Sequence, residues 1–253
     1  MSTILSKERY TDSSISFLIS DIVEYDMKEA GFSVIQQNKL LPQEEIDSLY
    51  QKTKEQRKIA IGKIERKNKA LVKAKAEGLR QYRELFGEAN NLKDEDILSI
   101  KKDAIFVKRY CYNTKFGDYI EFREKNAYQA FMQFGPFEFY MNDSGVDVKG
   151  LIDSNVEKHQ DGMMTVIHRV MKMLSEYNEI GAIKYVVKTI DLYKTYQLPV
   201  NYYREFNSTS GFRIIQLDEE TIVRDVGESY KNQLIIDYNF VNILVPLLNL
   251  VMG

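Results

Sequence analysis

Apolar and polar positions along this chain follow three successive periods. Between Ile15 and Val23 the apolar residues are dense and run straight into Glu24-Tyr25-Asp26, which predicts a strand ending on acidic residues. Lys28 to Gln37 has helical spacing, and Pro42 interrupts it. From Glu44 to Phe86 a long polar stretch carries only a thin apolar stripe: Ile59, Ile61, Ile64, Leu71 and Val72. That pattern predicts a helical pair projecting from the body, with Gly62 and Gly78 at its tip or ends.

Beyond the loop Gly87 to Glu95 the pattern turns to strands. Ile97-Leu98-Ser99-Ile100 and Ala104-Ile105-Phe106-Val107 flank the polar turn Lys101-Lys102-Asp103, a hairpin signature. Tyr119-Ile120-Glu121-Phe122, Phe137 to Met141 and Val146 to Val148 predict further strands, with Asn142-Asp143-Ser144-Gly145 as a turn. Helical spacing returns from Asn155 to about Tyr196, where Met163, Val166, Ile167, Val170, Met171 and Leu174 form one stripe, read as core. Pro199 ends that stretch, and Val200 to Gly253 is mixed. The order predicts an α+β fold, a sheet interrupted by an inserted helical arm.

At 253 residues the chain has room for one large domain or two modest ones. Its single cysteine, Cys111, excludes a disulfide framework and a cysteine-based zinc site. The two histidines, His159 and His168, are not spaced to share one helical face, so a metal here would be a hard cation on carboxylate oxygens. Val241 to Met252 is shorter than the about 20 apolar residues of a bilayer span. Pro246 and Asn249 also break it, which predicts a buried terminal element rather than a membrane anchor. The polar N-terminus lacks a basic region followed by an apolar stretch, so a cytoplasmic protein with no membrane partner is expected.

The net charge of −2 hides an asymmetry. Between Lys52 and Arg83 there are 12 Lys and Arg against 3 Asp and Glu; the rest of the chain has 23 against 34. Such a layout makes a positive patch able to attract phosphate. A solvated helical hairpin accounts for the same charges.

Two carboxylates stand out by context. Asp26 follows an apolar strand and precedes a helix, and Asp103 sits at the turn of an apolar hairpin. Carboxylates at strand ends can converge on one edge of a sheet, where two of them can chelate a pair of divalent ions. Those ions position a primer hydroxyl and a nucleoside triphosphate. Acidic residues at turns are also common for local reasons.

The segment Asp26-Met27-Lys28-Glu29-Ala30-Gly31-Phe32-Ser33-Val34-Ile35 resembles the first palm motif of family B DNA polymerases, Asp-x-x-Ser-Leu-Tyr-Pro-Ser-Ile-Ile. Lys101-Lys102-Asp103-Ala104-Ile105-Phe106-Val107 is similar to that family's hairpin motif, Asp-Thr-Asp-Ser-Ile-Phe-Val. Lys125-Asn126-Ala127-Tyr128 resembles its Lys-Lys-x-Tyr element, and Val146-Asp147-Val148-Lys149-Gly150-Leu151 its Val-Lys-Gly strand. The four matches keep the family's order over Ile15 to Ile152, with the basic arm where its fingers belong.

The resemblance implies a palm at residues 1–43 and 91–152, a fingers-like insertion at 44–90 and a helical thumb-like region at 153–253. It implies Asp26 and Asp103 as catalytic residues and ligands of Mg2+ or Mn2+. Triphosphate binding falls to Arg57, Lys58, Lys63, Arg66 and Lys67, and primer-template contact to Lys125, Tyr128 and Lys149. The implied partners are primer-template DNA, nucleoside triphosphates and other replication proteins; the family is common in viruses, so a viral origin is implied as well.

Departures from the pattern are specific. Lys101 replaces the hairpin's first Asp, Gly31-Phe32 replaces Tyr-Pro, and Asp153-Ser154-Asn155 stands where the family has Arg-Arg-Asp. The fingers motif ending in Asn-Ser-x-Tyr-Gly has only a faint echo at Glu84-Leu85-Phe86-Gly87. Only 25 residues precede Asp26, which leaves no room there for a proofreading exonuclease. Two main readings follow: a template-dependent nucleotidyltransferase, or a catalytically inactive palm acting as a nucleic-acid-binding replication accessory protein. A third makes the charged arm a dock for an acidic protein partner. At single residues, Lys125 is equally a surface lysine, Tyr128 a half-buried tyrosine and Lys149 a stem packed along the sheet. Tyr202 to Asn207 either stacks on bases or forms core with a local ion pair.

Overall fold

The apolar run that begins at Ile15 becomes an 11-residue strand, β2 (Phe17–Met27), preceded by the short β1 (Arg9–Thr11). The computed structural model describes residues 3–151, 161–203, 206, 216–217, 221–222 and 238–253. These residues form an α+β protein whose chain divides into two compact units. Met1–Ser14 and Asp21–Ala127 make the first; Ile15–Ser20 and Tyr128–Gly253 make the second. β2 and a later 15-residue strand, β6 (Ile120–Phe134), each contribute to both. The expected segment 91–152 is therefore shared between the units, because β6 runs on to Phe134, far beyond the Tyr119 to Phe122 stretch that the apolar pattern marked.

In the first unit β2 leads into α1 (Ala30–Gln37), then α2 (Gln43–Tyr50), α3 (Lys54–Lys67) and α4 (Lys69–Ala89). Pro42, in extended conformation, separates α1 from α2. Thr53 opens α3 with a capping box to Gln56, and the Asn68 side chain accepts the Leu71 N–H to open α4. The tip of the helical pair is therefore Asn68, and the expectation that Gly62 and Gly78 mark it is corrected: both lie inside helices. Gly78 has a packing role. A Cβ there would stand 2.5 Å from Val34 Cγ1 and 2.9 Å from the Asn38 amide, so its absence lets α4 lie close on α1.

The hairpin follows as predicted, with β3 (Ile97–Lys101) and β4 (Ala104–Val107) around a two-residue turn whose Lys102 has φ +58°. Four consecutive buried residues in each strand identify them as interior strands. The hydrogen-bonded order in this unit is β1-β3-β4-β2, all antiparallel, and β5 (Lys115–Phe116) pairs with the start of β6. One core lies between this sheet and the helices, with Tyr25, Phe86 and Phe122 as its largest members; a second joins Phe32 and Ile35 of α1 to Leu49, Ile61 and Leu71.

In the second unit β6 continues into β7 (Phe137–Asn142) and β8 (Gly145–Lys149) as an antiparallel meander. The Asn142 side chain accepts from the Ser144 N–H and hydroxyl, forming the predicted turn. Helices α5 (Asp161–Ser175) and α6 (Glu179–Lys194) break at Tyr177-Asn178, where the Asn178 side chain caps α6. The methionine-containing stripe of α5 is core throughout, packed with Phe137, Phe139 and Phe206. The final segment is a turn of π-helix, Phe240–Leu244, and then α7 (Val245–Met252), with Ile243, Leu244, Leu247 and Val251 buried in the same core. Among the described residues no helix is long and apolar enough to cross a membrane.

Candidate functional site

The end of β2 and the β3–β4 turn are adjacent by register. Asp26 pairs across the strands with Ala104, and the Met27 N–H donates to the Asp103 carbonyl at 3.2 Å. Two sequence-distant carboxylates are thereby brought to one edge of the first unit's sheet. Both line a cavity of about 350 Å³ whose opposite wall is α3 and α4. Burial first, and then the charge of Asp103, hold the Asp26 carboxyl above the usual carboxylate range, against the pull of Lys125 and Lys54.

The cavity also collects four cations, Lys54, Arg57, Lys58 and Lys75, and two more carboxylates, Glu29 and Glu65. Internal pairing uses up half of these charges. Arg57 pairs with Glu29, stacks its guanidinium 4.4 Å over the Phe32 ring, and donates to the Leu49, Tyr50 and Lys52 carbonyls that end α2. Lys75 pairs with Glu65 across α3 and α4. Asp26 and Asp103 then face Lys54 and Lys58. Lys58 has only an exposed bridge to Glu55, of the kind worth less than about 1 kcal/mol, so it is free to swing toward a ligand.

The five predicted triphosphate ligands separate by helix face. Relative to Lys54, the positions Arg57, Lys58, Ile61 and Glu65 recur at helical spacing and line the cavity. Lys63, Arg66 and Lys67 fall on other faces of α3 and are not among the lining residues. Lys54, Lys75, Glu29 and Glu65 were missed by sequence reasoning. The signal that finds Lys54 is the spacing itself, because it begins the face that Arg57 and Lys58 continue.

The turn is held from behind. Arg83 of α4 is buried, and its guanidinium donates to the carbonyls of Leu5, Lys7 and Lys102. Burial pulls its pKa down, while Asp103 is among the anions that favour its charge. The residue beside Asp103 is thus pinned by a buried cation. Lys101, in place of the expected carboxylate, donates to the Thr11 hydroxyl on β1 at 3.1 Å.

The predicted nucleic-acid contacts are spread out. Lys125 on β6 pairs at 3.1 Å with Glu24, a carboxylate 1% exposed that also accepts from Asn126. Tyr128 belongs to the second unit; its ring is only 2% exposed and its hydroxyl donates to Asp147 at 2.6 Å. That placement presents no ring face for stacking and corrects the expectation of primer-template contact for Tyr128. Lys149, half-buried, ends β8 in the same unit. His168 lies on α5, and His159 falls outside the described residues, as does Asp153-Ser154-Asn155. Tyr203 stacks on Tyr193 at 4.6 Å and Phe206 is core, which favours the structural reading of that cluster; Arg204, Glu205 and Asn207 are outside the described residues. Cys111 is buried, its thiol pushed up to about 11 by burial.

Among the described residues no three His, Cys, Asp or Glu side chains are grouped to hold a metal. Two carboxylates nevertheless suit a hard cation such as Mg2+, which binds through one or two carboxylates and completes its shell with substrate phosphates and water. The raised Asp26 carboxyl beside Asp103 is the local sign of that fit, since a cation there relieves both burial and repulsion. No curated protein matches the chain. Over residues 1–253 it matches a phage family, and the chain belongs to the family described as Bacteriophage PBS1 gene 130 protein.

Proposed function

We propose that this phage protein is a template-dependent nucleotidyltransferase of the DNA-polymerase type. The first unit's sheet serves as a palm, α3 and α4 as short fingers, and the helices of the second unit as a thumb-like part. The observation that carries the reading is the convergence of Asp26 and Asp103 on one cavity that also holds Lys54 and Lys58. With its internal ion pairs set aside, that cavity carries two carboxylates and two lysines. A divalent cation on the carboxylates makes it net positive and matched to a polyphosphate.

Asp26 and Asp103 hold Mg2+ or Mn2+, which when bound neutralises charge on the phosphate oxygens. Lys54 and Lys58 bind the outer phosphates from α3. Arg57 is a positioning residue, since its donors are engaged by Glu29 and the end of α2. Lys125 and Lys149 would meet the backbone of primer-template DNA, and other replication proteins are expected partners.

Lys101 favours a second reading. A cation stands where the resemblance places a carboxylate, as in a palm that binds nucleic acid without catalysis and serves replication as an accessory. One assay separates the two: extension of a labelled primer on a DNA template with Mg2+ or Mn2+ and all four deoxynucleotides, for the wild type and Asp103→Asn. Extension that is lost in the variant is the expected result. No extension, with equal salt-dependent binding of the same DNA by both proteins, overturns catalysis in favour of the accessory reading.

A further inference from the structure

A second cavity of about 350 Å³ in the first unit shares Glu29, Phe32 and Arg57 with the first. Its ligand chemistry is different. Two exposed tyrosines line it, Tyr50 at 64% and Tyr119 at 47% exposure. They come from separate elements, the end of α2 and the loop before β6.

The backbone that carries each is held in place. The α2 end that carries Tyr50 is fastened by Arg57, which donates to the Leu49, Tyr50 and Lys52 carbonyls. The Tyr119 N–H donates to the Gln37 side chain of α1 at 2.9 Å. Gly117, two residues earlier, has φ +67°, and a Cβ there would stand 2.6 Å from the same Gln37 amide. Such anchoring matters because an aromatic on a loose loop pays loop entropy on binding, and one on a fixed backbone pays less.

The charges lining this cavity cancel. Lys28 pairs with Glu121 at 3.8 Å and Arg57 with Glu29, which leaves one lysine, Lys115, and one carboxylate, Asp118. A neutral wall with two aromatic faces suits a neutral planar group better than a bare phosphate. Lys115, exposed, can meet a backbone phosphate next to that group.

We propose that this second cavity takes an unpaired nucleobase of a single strand, stacked against Tyr50 and Tyr119. The inference rests on the nucleic-acid reading of the neighbouring cavity and deepens it. Arg57, which lines both cavities, would couple occupation of the two.

The test is the fluorescence of a short oligothymidylate carrying one 2-aminopurine, titrated with the full chain in its deoxy and ribo forms. Wild type, Tyr50→Ala, Tyr119→Ala and Tyr119→Phe are compared, and melting curves check that each variant stays folded. Quenching by wild type and by Tyr119→Phe is expected, with binding weakened at least about fivefold by each alanine. The backbone bound more tightly names the strand. Binding without quenching, or unchanged in the alanine variants, overturns this site and leaves the first cavity's reading standing. No binding of either oligomer overturns both.

Discussion

The N–H of Met27 donates to the carbonyl of Asp103 at 3.2 Å, so the strand end bearing Asp26 is stitched to the turn bearing the second carboxylate. The two acids are therefore close because the backbone holds them there, whatever their charges prefer. The strain of that arrangement has a measurable signature.

Asp26 titrates higher in the folded chain than in the unfolded one. Between the unfolded value, near 4, and the raised one, the folded chain binds the extra proton, so stability falls as pH rises through that window. In metal-free buffer Asp26→Asn should be the more stable protein at neutral pH, by about 1–3 °C in Tm. The advantage should shrink as pH falls toward 4. Millimolar Mg2+ should stabilise the wild type and leave the variant unmoved. A Tm difference independent of pH would remove the electrostatic account of this pair.

Arg83→Met should cost about 3 kcal/mol, because it leaves the carbonyls of Leu5, Lys7 and Lys102 without their donor. Arg83→Lys should recover little of this, since one ammonium cannot reproduce the fork. Urea unfolding gives the cost directly. The same variants should weaken the Mg2+-dependent stabilisation, because Lys102 adjoins Asp103.

Two glycines in helix interiors should respond with opposite signs. Alanine at Gly62 meets nothing within 4 Å and should stabilise α3 by up to about 1 kcal/mol. Alanine at Gly78 collides with Val34 and Asn38, so overpacking of about 1–3 kcal/mol should exceed the same propensity gain. Thermal melts of the two variants decide it; equal shifts would mean that α4 can move off α1 at no cost.

Lys54→Ala should weaken nucleoside triphosphate binding about tenfold in the presence of Mg2+, the loss of one charge-assisted contact. Lys63→Ala, from the opposite face of α3, should change it less than about twofold. Calorimetric titration distinguishes them, and equal effects would place the triphosphate outside the cavity.

These contrasts also show which parts of the molecule could be read from the sequence. The β3–β4 hairpin and the α5 stripe follow from local patterns, because short apolar runs and turn residues fix strands and their ends; the meeting of Asp26 with Asp103 depends on the pairing of β2 with β4, which no local pattern fixes. Glycine misled because a residue that usually breaks helices was used at Gly78 for close packing, a reason visible only once Val34 is opposite. Tyr128 misled because an aromatic in a plausible motif is equally good core; its partner Asp147 sits on another strand. The basic arm was legible in its total charge, but not in which cations are spent. The Arg57–Glu29 and Lys75–Glu65 pairs depend on how three helices come together.

β2 gives its first residues to one unit and its last to the other, and this has a consequence for synthesis. Gln133 bonds Ile15 across 118 residues, while the sequence between them contributes mainly to the first unit. At 5–20 residues per second a ribosome needs on the order of ten seconds to supply that partner. During the wait Phe17, which packs against the second unit's core, has no partner yet made. A chain released near Ala127 would keep the segment Ile15–Ser20 permanently orphaned.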